Sequence, residues 1–171
     1  MARSAVLPLL AVGLAAACTT ARTETTTEVS GTPRLIVVAT LTPADLARLR
    51  WIEGTWRGEG TDQAPFYERY HFTDDSTLVV DSFGDSTLAK VSESSRYELR
   101  GGHLANAGEG ARWAAVRVDS SSASFIPIAS ARNSFVWRRD AADRWTALLA
   151  WPATTTEPMR ERTYHMTRWP R

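Results

Sequence analysis

The sequence predicts a mainly β protein: a closed antiparallel β-barrel of about ten strands, preceded by a short N-terminal helix. Three observations point there. From Trp56 onward, short runs rich in Val, Thr and aromatic residues alternate with turn signals. The runs recur about every ten residues, the rhythm of an antiparallel meander. Most runs offer one apolar face. A meander of that length hides such a face by folding into two sheets or by closing, and closure also removes the exposed edges.

The helix comes first. Thr42 caps it, Pro43 fits its first position, and Asp45 sits near the positive end of its dipole. It is expected to run to about Ile52, with Leu46, Leu49 and Ile52 on one face, and to stop at Gly54. Strand-like runs follow at 55–60, 66–73, 77–83, 87–92, 95–100, 103–107, 111–119, 124–128, 134–138 and 145–151, and 161–168 closes the chain. Turns are expected at Asp74-Asp75, Gly84-Asp85, Gly101-Gly102, 119–122 and 140–143.

Strands alternate faces, so each run offers two inner surfaces to choose between. In 66–73 the apolar choice is Phe66, Tyr70 and Phe72, and it carries Glu68 inside. In the last run it is Arg162, Tyr164, Met166 and Arg168. A lone interior charge is unfavourable without a partner. Glu68 and Arg162 are therefore expected to meet inside, directly or through the polar head of a ligand. Trp56, Trp113, Trp137, Trp145, Trp151 and Trp169 lie in or beside strands, and Trp51 lies on the helix. Such side chains fill barrels and line apolar pockets. Gly58, Gly60, Ala89 and Ala147 are small inward residues that favour a void.

The N-terminus reads as a processing signal. Arg3 precedes an apolar stretch over 5–17, too short to span a bilayer, and Cys18 follows it directly. Small residues before a cysteine are the layout of a bacterial lipoprotein leader. Residues 1–17 are thus expected to be a signal peptide, 18–40 a Thr-rich tether lipidated at Cys18, and 41–171 the barrel domain. The segment 35–39 breaks the tether's polarity, as a docked strand or a sticky stretch. The expected location is the bacterial cell envelope, at the outer membrane and facing the periplasm, with a lipid anchor as the membrane partner. Loss of Arg3 with the leader leaves 19 basic against 19 acidic side chains. No global field then steers the chain to nucleic acid. Cys18 is the single cysteine, so disulfides within the chain are excluded.

At Trp51-Ile-Glu-Gly-Thr-Trp-Arg-Gly-Glu-Gly60 the chain resembles a known superfamily. A short helix followed by Gly54-Thr55-Trp56 resembles the calycin signature of lipocalins and fatty-acid-binding proteins. The run 54–60 is similar to nitrobindin-like domains. Segments 135–140 and 160–168 resemble uncharacterised lipocalin-like bacterial proteins, and the likeness covers about 46–168. It implies a structural plug in which Trp56 stacks on a cation from the final strand, here Arg168, worth roughly 1–2 kcal/mol when desolvated. Nitrobindins hold haem through a histidine in the C-terminal strand. Threading 154–158 onto the preceding approach puts Arg162 at that position, and His165 alternates to the opposite face. His71 would serve only from the other face of its own strand. No cofactor is expected.

No catalytic motif is present: no Gly-x-Ser-x-Gly, no His-Glu-x-x-His and no phosphate-binding glycine loop. His71 beside Asp74 and Asp75 reads as a surface histidine near turn carboxylates, and no metal site is expected. The leading reading is a non-enzymatic, membrane-anchored lipocalin-like barrel holding a small, largely apolar molecule. Glu68, Tyr70, Trp137, Arg162 and Tyr164 are its expected ligand-binding residues. The alternatives are an envelope scaffold with a packed core, and nitrobindin-like haem binding.

Overall fold

The computed structural model describes residues 40–170. Cys18, the leader, the tether and the 35–39 run lie outside the described residues. A helix α1 (Pro43–Ala47) tightens into a 3-10 turn (Arg48–Ile52). Ten strands follow: β1 (Gly54–Gly60), β2 (Phe66–Phe72), β3 (Thr77–Phe83), β4 (Val91–Arg100), β5 (His103–Ala107), β6 (Arg112–Val118), β7 (Ser122–Ala129), β8 (Ser134–Arg139), β9 (Arg144–Trp151) and β10 (Arg160–Arg168). Each pairs antiparallel with its sequence neighbours, and β1 pairs with β10 to close the barrel.

The helix starts for the reasons its sequence gives. The Thr42 hydroxyl accepts from the Asp45 backbone N–H, and the Asp45 carboxylate accepts from the Thr42 N–H at 2.9 Å, a reciprocal capping box. Leu46, Leu49 and Ile52 are all buried. This apolar stripe covers one end of the barrel, where the Leu41 N–H donates to the Gly102 carbonyl of the β4–β5 turn at 2.7 Å.

Trp56 seals that end. Its indole N–H donates to the Ile52 carbonyl at 2.6 Å. The Arg168 guanidinium lies 4.0 Å from its ring centroid and donates to the Glu53 carbonyl at 2.7 Å. Trp145 meets it edge-on at 6.1 Å. Gly54 is required where helix turns into strand. Its φ is +126°, and a Cβ there would collide with the Arg168 guanidinium.

Two details differ from the sequence reading. The runs 87–92 and 95–100 are not separate strands; one long strand, β4, begins at Val91. Residues 87–90 belong to the β3–β4 connection, where Leu88 takes a φ of +56° and Ala89 is exposed. Ala89 therefore contributes nothing to the interior. Gly58 and Gly60 do not create empty space either. Cβ atoms there would strike the rings of Phe66 and Tyr164, so these glycines seat two aromatic side chains. Phe66 and Tyr164 then meet edge-on at 5.3 Å.

Removal of the plug should be severe. Trp56→Ala is expected to destabilise by ~3–5 kcal/mol, the range for deleting a buried large aromatic. Arg168→Leu should lose about 1–2 kcal/mol of cation–π attraction as well as the bond to Glu53. Urea unfolding of the two single variants and the double should show losses that do not add, because the two side chains share one contact. Additive losses would dissociate the ring from the cation.

Candidate functional site: the barrel interior

The plug and the helix close one end of the barrel. Above them lies a cavity of about 520 Å³. That is within the usual range of small-molecule pockets, about 300–1,000 Å³. Gln63 of the β1–β2 connection and Asn133 of the β7–β8 connection reach its lining, so it opens at the end away from the helix.

The register divides the lining into two walls. Across β8, β9 and β10, Trp137 stands opposite Ala147 and Ala147 opposite Tyr164. Phe135 likewise stands opposite Leu149. This wall is apolar except for the Tyr164 hydroxyl. Across β2, β3 and β4, Glu68 stands opposite Ser82 and Ser82 opposite Glu93. One row deeper, Tyr70 faces Val80 and Val80 faces Ser95. All of these except Gln63 and Asn133 project from strands whose alternation points them inward. Trp113, Tyr97, Trp145 and Met166 complete the surface.

Aromatic rings hold the lining rigid. Tyr70 meets Trp137 at 5.8 Å and Trp145 at 5.5 Å, both edge-on. Tyr97 meets Trp137 at 5.3 Å. Phe125 stacks on Phe135 at 4.5 Å. Such pairs add roughly 0.5–1.5 kcal/mol each beyond the area they bury.

The polar wall is electrostatically loaded. Tyr70 donates its hydroxyl to Glu68 Oε2 at 2.7 Å. Burial raises the Glu68 carboxyl above the ordinary carboxylate range, and the charge of Glu93 pushes the same way; the bonds from Tyr70 and Ser82 oppose it. Burial, reinforced by the charge of Glu68, raises the Tyr70 hydroxyl well above its usual value. Tyr97 is also raised, first by burial and then by Glu68. Burial is the first cause of the upward shift at Glu68, Tyr70 and Tyr97 alike.

Of the five residues expected to touch a ligand, Glu68, Tyr70, Trp137 and Tyr164 line the cavity together. Arg162 stands apart from them. It shares the inward parity of Tyr164 and Met166, yet it sits at the rim, exposed, and donates to the Tyr164 hydroxyl at 3.2 Å. The direct Glu68–Arg162 pair is not formed: Glu68 satisfies itself with Tyr70, on the far wall. Trp56 and Arg168 form the floor instead of the lining. Sequence reasoning missed Ser82, Glu93 and Ser95. The signal was the apolar parity of Tyr97 and Leu99, which carries Glu93 and Ser95 to the same face once β4 is read as one strand.

Histidines stay outside. His71 faces Asp81 at 3.7 Å on the outer surface, and His103 and His165 are exposed. None lines the cavity. The donor set therefore does not fit a histidine-ligated haem, and no step is derived through one. Trp151 and Trp169 are also external: Arg160 lies over Trp151 at 4.7 Å, and Trp169 packs on Tyr67.

No family model matches the chain, and no curated protein matches it. Among solved structures, a chain described as EF1p2_mFAP2b bound to DFHBI is similar, with a TM-score of 0.36 and 7% sequence identity over 70% of this chain and 94% of that one. That likeness leaves the function to be argued from the cavity itself.

A raised carboxyl makes the fold pH-sensitive. The folded form holds the Glu68 proton more tightly than the unfolded chain, whose value is near 4.5. Glu68 thus gives its full stability below that value, and stability falls as pH rises toward the higher folded value. Glu68→Gln keeps the shape and removes the titration. Chemical denaturation at pH 4 to 8 should show the variant gaining on the parent as pH rises. A constant difference across that range would contradict the burial argument.

Proposed function

We propose that this chain is a calycin-like binding protein, non-enzymatic, whose barrel holds one small, largely apolar molecule, and that Cys18 carries a lipid tethering it to a membrane of the bacterial envelope. The single observation that carries the binding reading is the cavity: about 520 Å³ lined by rigid aromatic rings with a few polar groups gathered on one wall. Large apolar clefts with few convergent polar groups are what small-molecule sites look like. A scaffold protein would gain stability by filling that volume, since buried apolar area is worth about 25 cal/mol per Å². Gly54-Thr55-Trp56 opening β1 and the ring–cation contact to the last strand support the calycin-like assignment. The leader layout around Cys18 supports the anchor.

The binding reading is tested with N-phenyl-1-naphthylamine, a neutral dye that brightens in apolar surroundings. Saturable fluorescence with about one dye per chain is expected. Ala147→Phe places a ring between Trp137 and Tyr164, inside the void. It should weaken dye uptake about tenfold or more with little change in unfolding midpoint, because a void accepts volume that a packed core would not. No saturable signal, or a marked loss of stability in Ala147→Phe, would favour a packed scaffold. The anchor is tested separately: Cys18→Ser should move the chain from the membrane to the soluble fraction of its cells.

A further inference from the structure

Resting on the ligand-binding reading above, we propose that the molecule held is an organic cation: an aromatic or alkyl body carrying a protonated amine, with the charged end against the row Glu68–Ser82–Glu93 and the body against the β8–β10 wall.

The charge of the lining carries the argument. Among the described residues, Glu68 and Glu93 are the only carboxylates in contact with the cavity, and no Lys, Arg or His lines it. The register places both on one face of adjacent strands, with Ser82 between them. Two like charges on one wall repel each other in a medium of reduced dielectric, and a bound cation relieves both. Two arginines of β10, Arg168 and Arg162, are engaged elsewhere. Arg168 lies on the far side of the Trp56 ring and is committed to that ring and to the Glu53 carbonyl. Arg162 remains at the rim on the opposite wall, held by Tyr164.

The rest of the lining suits the same chemistry. Ring faces attract cations through their quadrupoles, and Phe66, Tyr70, Tyr97 and Trp137 surround the polar row. Ser82 and Ser95 supply hydroxyl oxygens to accept from an ammonium group. The arrangement is also graded along the route in. Rows run across strands that tilt relative to the barrel axis, so one row climbs from the floor toward the mouth. Along this one, Trp56 at the plug is followed by Glu68, then Ser82, then Glu93, which is exposed at the opening. A cation meets Glu93 first and Glu68 last. A carboxylate-headed molecule, such as a fatty acid, is repelled at both steps.

Calorimetry with three compounds sharing one tail decides it: 4-phenylbutylamine, 4-phenylbutan-1-ol and 4-phenylbutyrate. The amine is expected to bind about tenfold or more tighter than the alcohol, and the carboxylate weakest of the three. Glu68→Gln and Glu93→Gln should each shrink the amine-over-alcohol ratio by about threefold or more. Circular dichroism checks whether Glu68→Gln is folded, and Glu93→Gln, at the exposed rim, provides a second variant if it is not. An alcohol that binds as well as the amine, or a ratio that survives in both folded variants, overturns the proposal. If the neutral dye binds and the amine has no advantage, the cation falls and the cavity reading stands. If neither the dye nor any of the three compounds binds, both fall.

Discussion

The closure at Trp56 is the constraint on which the rest depends. Four parts of the chain meet at that ring: the Ile52 carbonyl at the end of the helical segment, Trp145 from β9, Arg168 from β10, and β1 itself. Trp56 and Arg168 are also register partners across the β1–β10 seam. One contact thus fixes the strand pairing that closes the barrel and the position of the helix that caps it. A strand slip of one residue would turn the ring outward and break all of these at once. Because the cap is confined to one end, the apolar material of the helix stays low, and the space near the other end is left to the side chains of the strands.

Those side chains do not fill it. Gly58 and Gly60 let Phe66 and Tyr164 lie back against β1, and Ala147 is too small to bridge from Trp137 across to Tyr164. The rings line the wall and brace one another, so the void is held open by packed neighbours. Its surface is asymmetric because the strands differ in what they place on their inner parity. β8 and β9 contribute Phe135, Trp137, Ala147 and Leu149, whereas β2 to β4 contribute Glu68, Ser82, Glu93 and Ser95. Charge on one wall and hydrocarbon on the other would orient a bound amphipathic molecule without any moving part.

Much of this was legible in the residues, for reasons that can be named. The helix start at Thr42-Pro43 and the turns at Asp74, Gly101 and 140–143 are local chemistry, and local chemistry is written in consecutive residues. The inward parity of Phe66, Glu68 and Tyr70 followed from alternation together with the apolar side of the run. What failed was long-range. The bulge between Ser82 and Phe83 shifts the β3–β4 pairing, and no residue pattern announces it. Read as two strands, 87–92 and 95–100, the segment leaves Glu93 in the gap between them. The Glu68–Arg162 expectation had correct parity and wrong depth: alternation states which face a residue takes but not how far along a tilted strand it sits. The glycines were misread because a missing side chain looks like space until the neighbour that occupies it is known.

The central claim is that the upper half of the barrel is a vacancy kept for a guest. Native mass spectrometry of the protein taken gently from its own cells tests it most directly. The account predicts a bound species of a few hundred daltons or less, one per chain, that leaves when the protein is denatured. A mass from cells in every growth condition with no non-covalently bound species would contradict it.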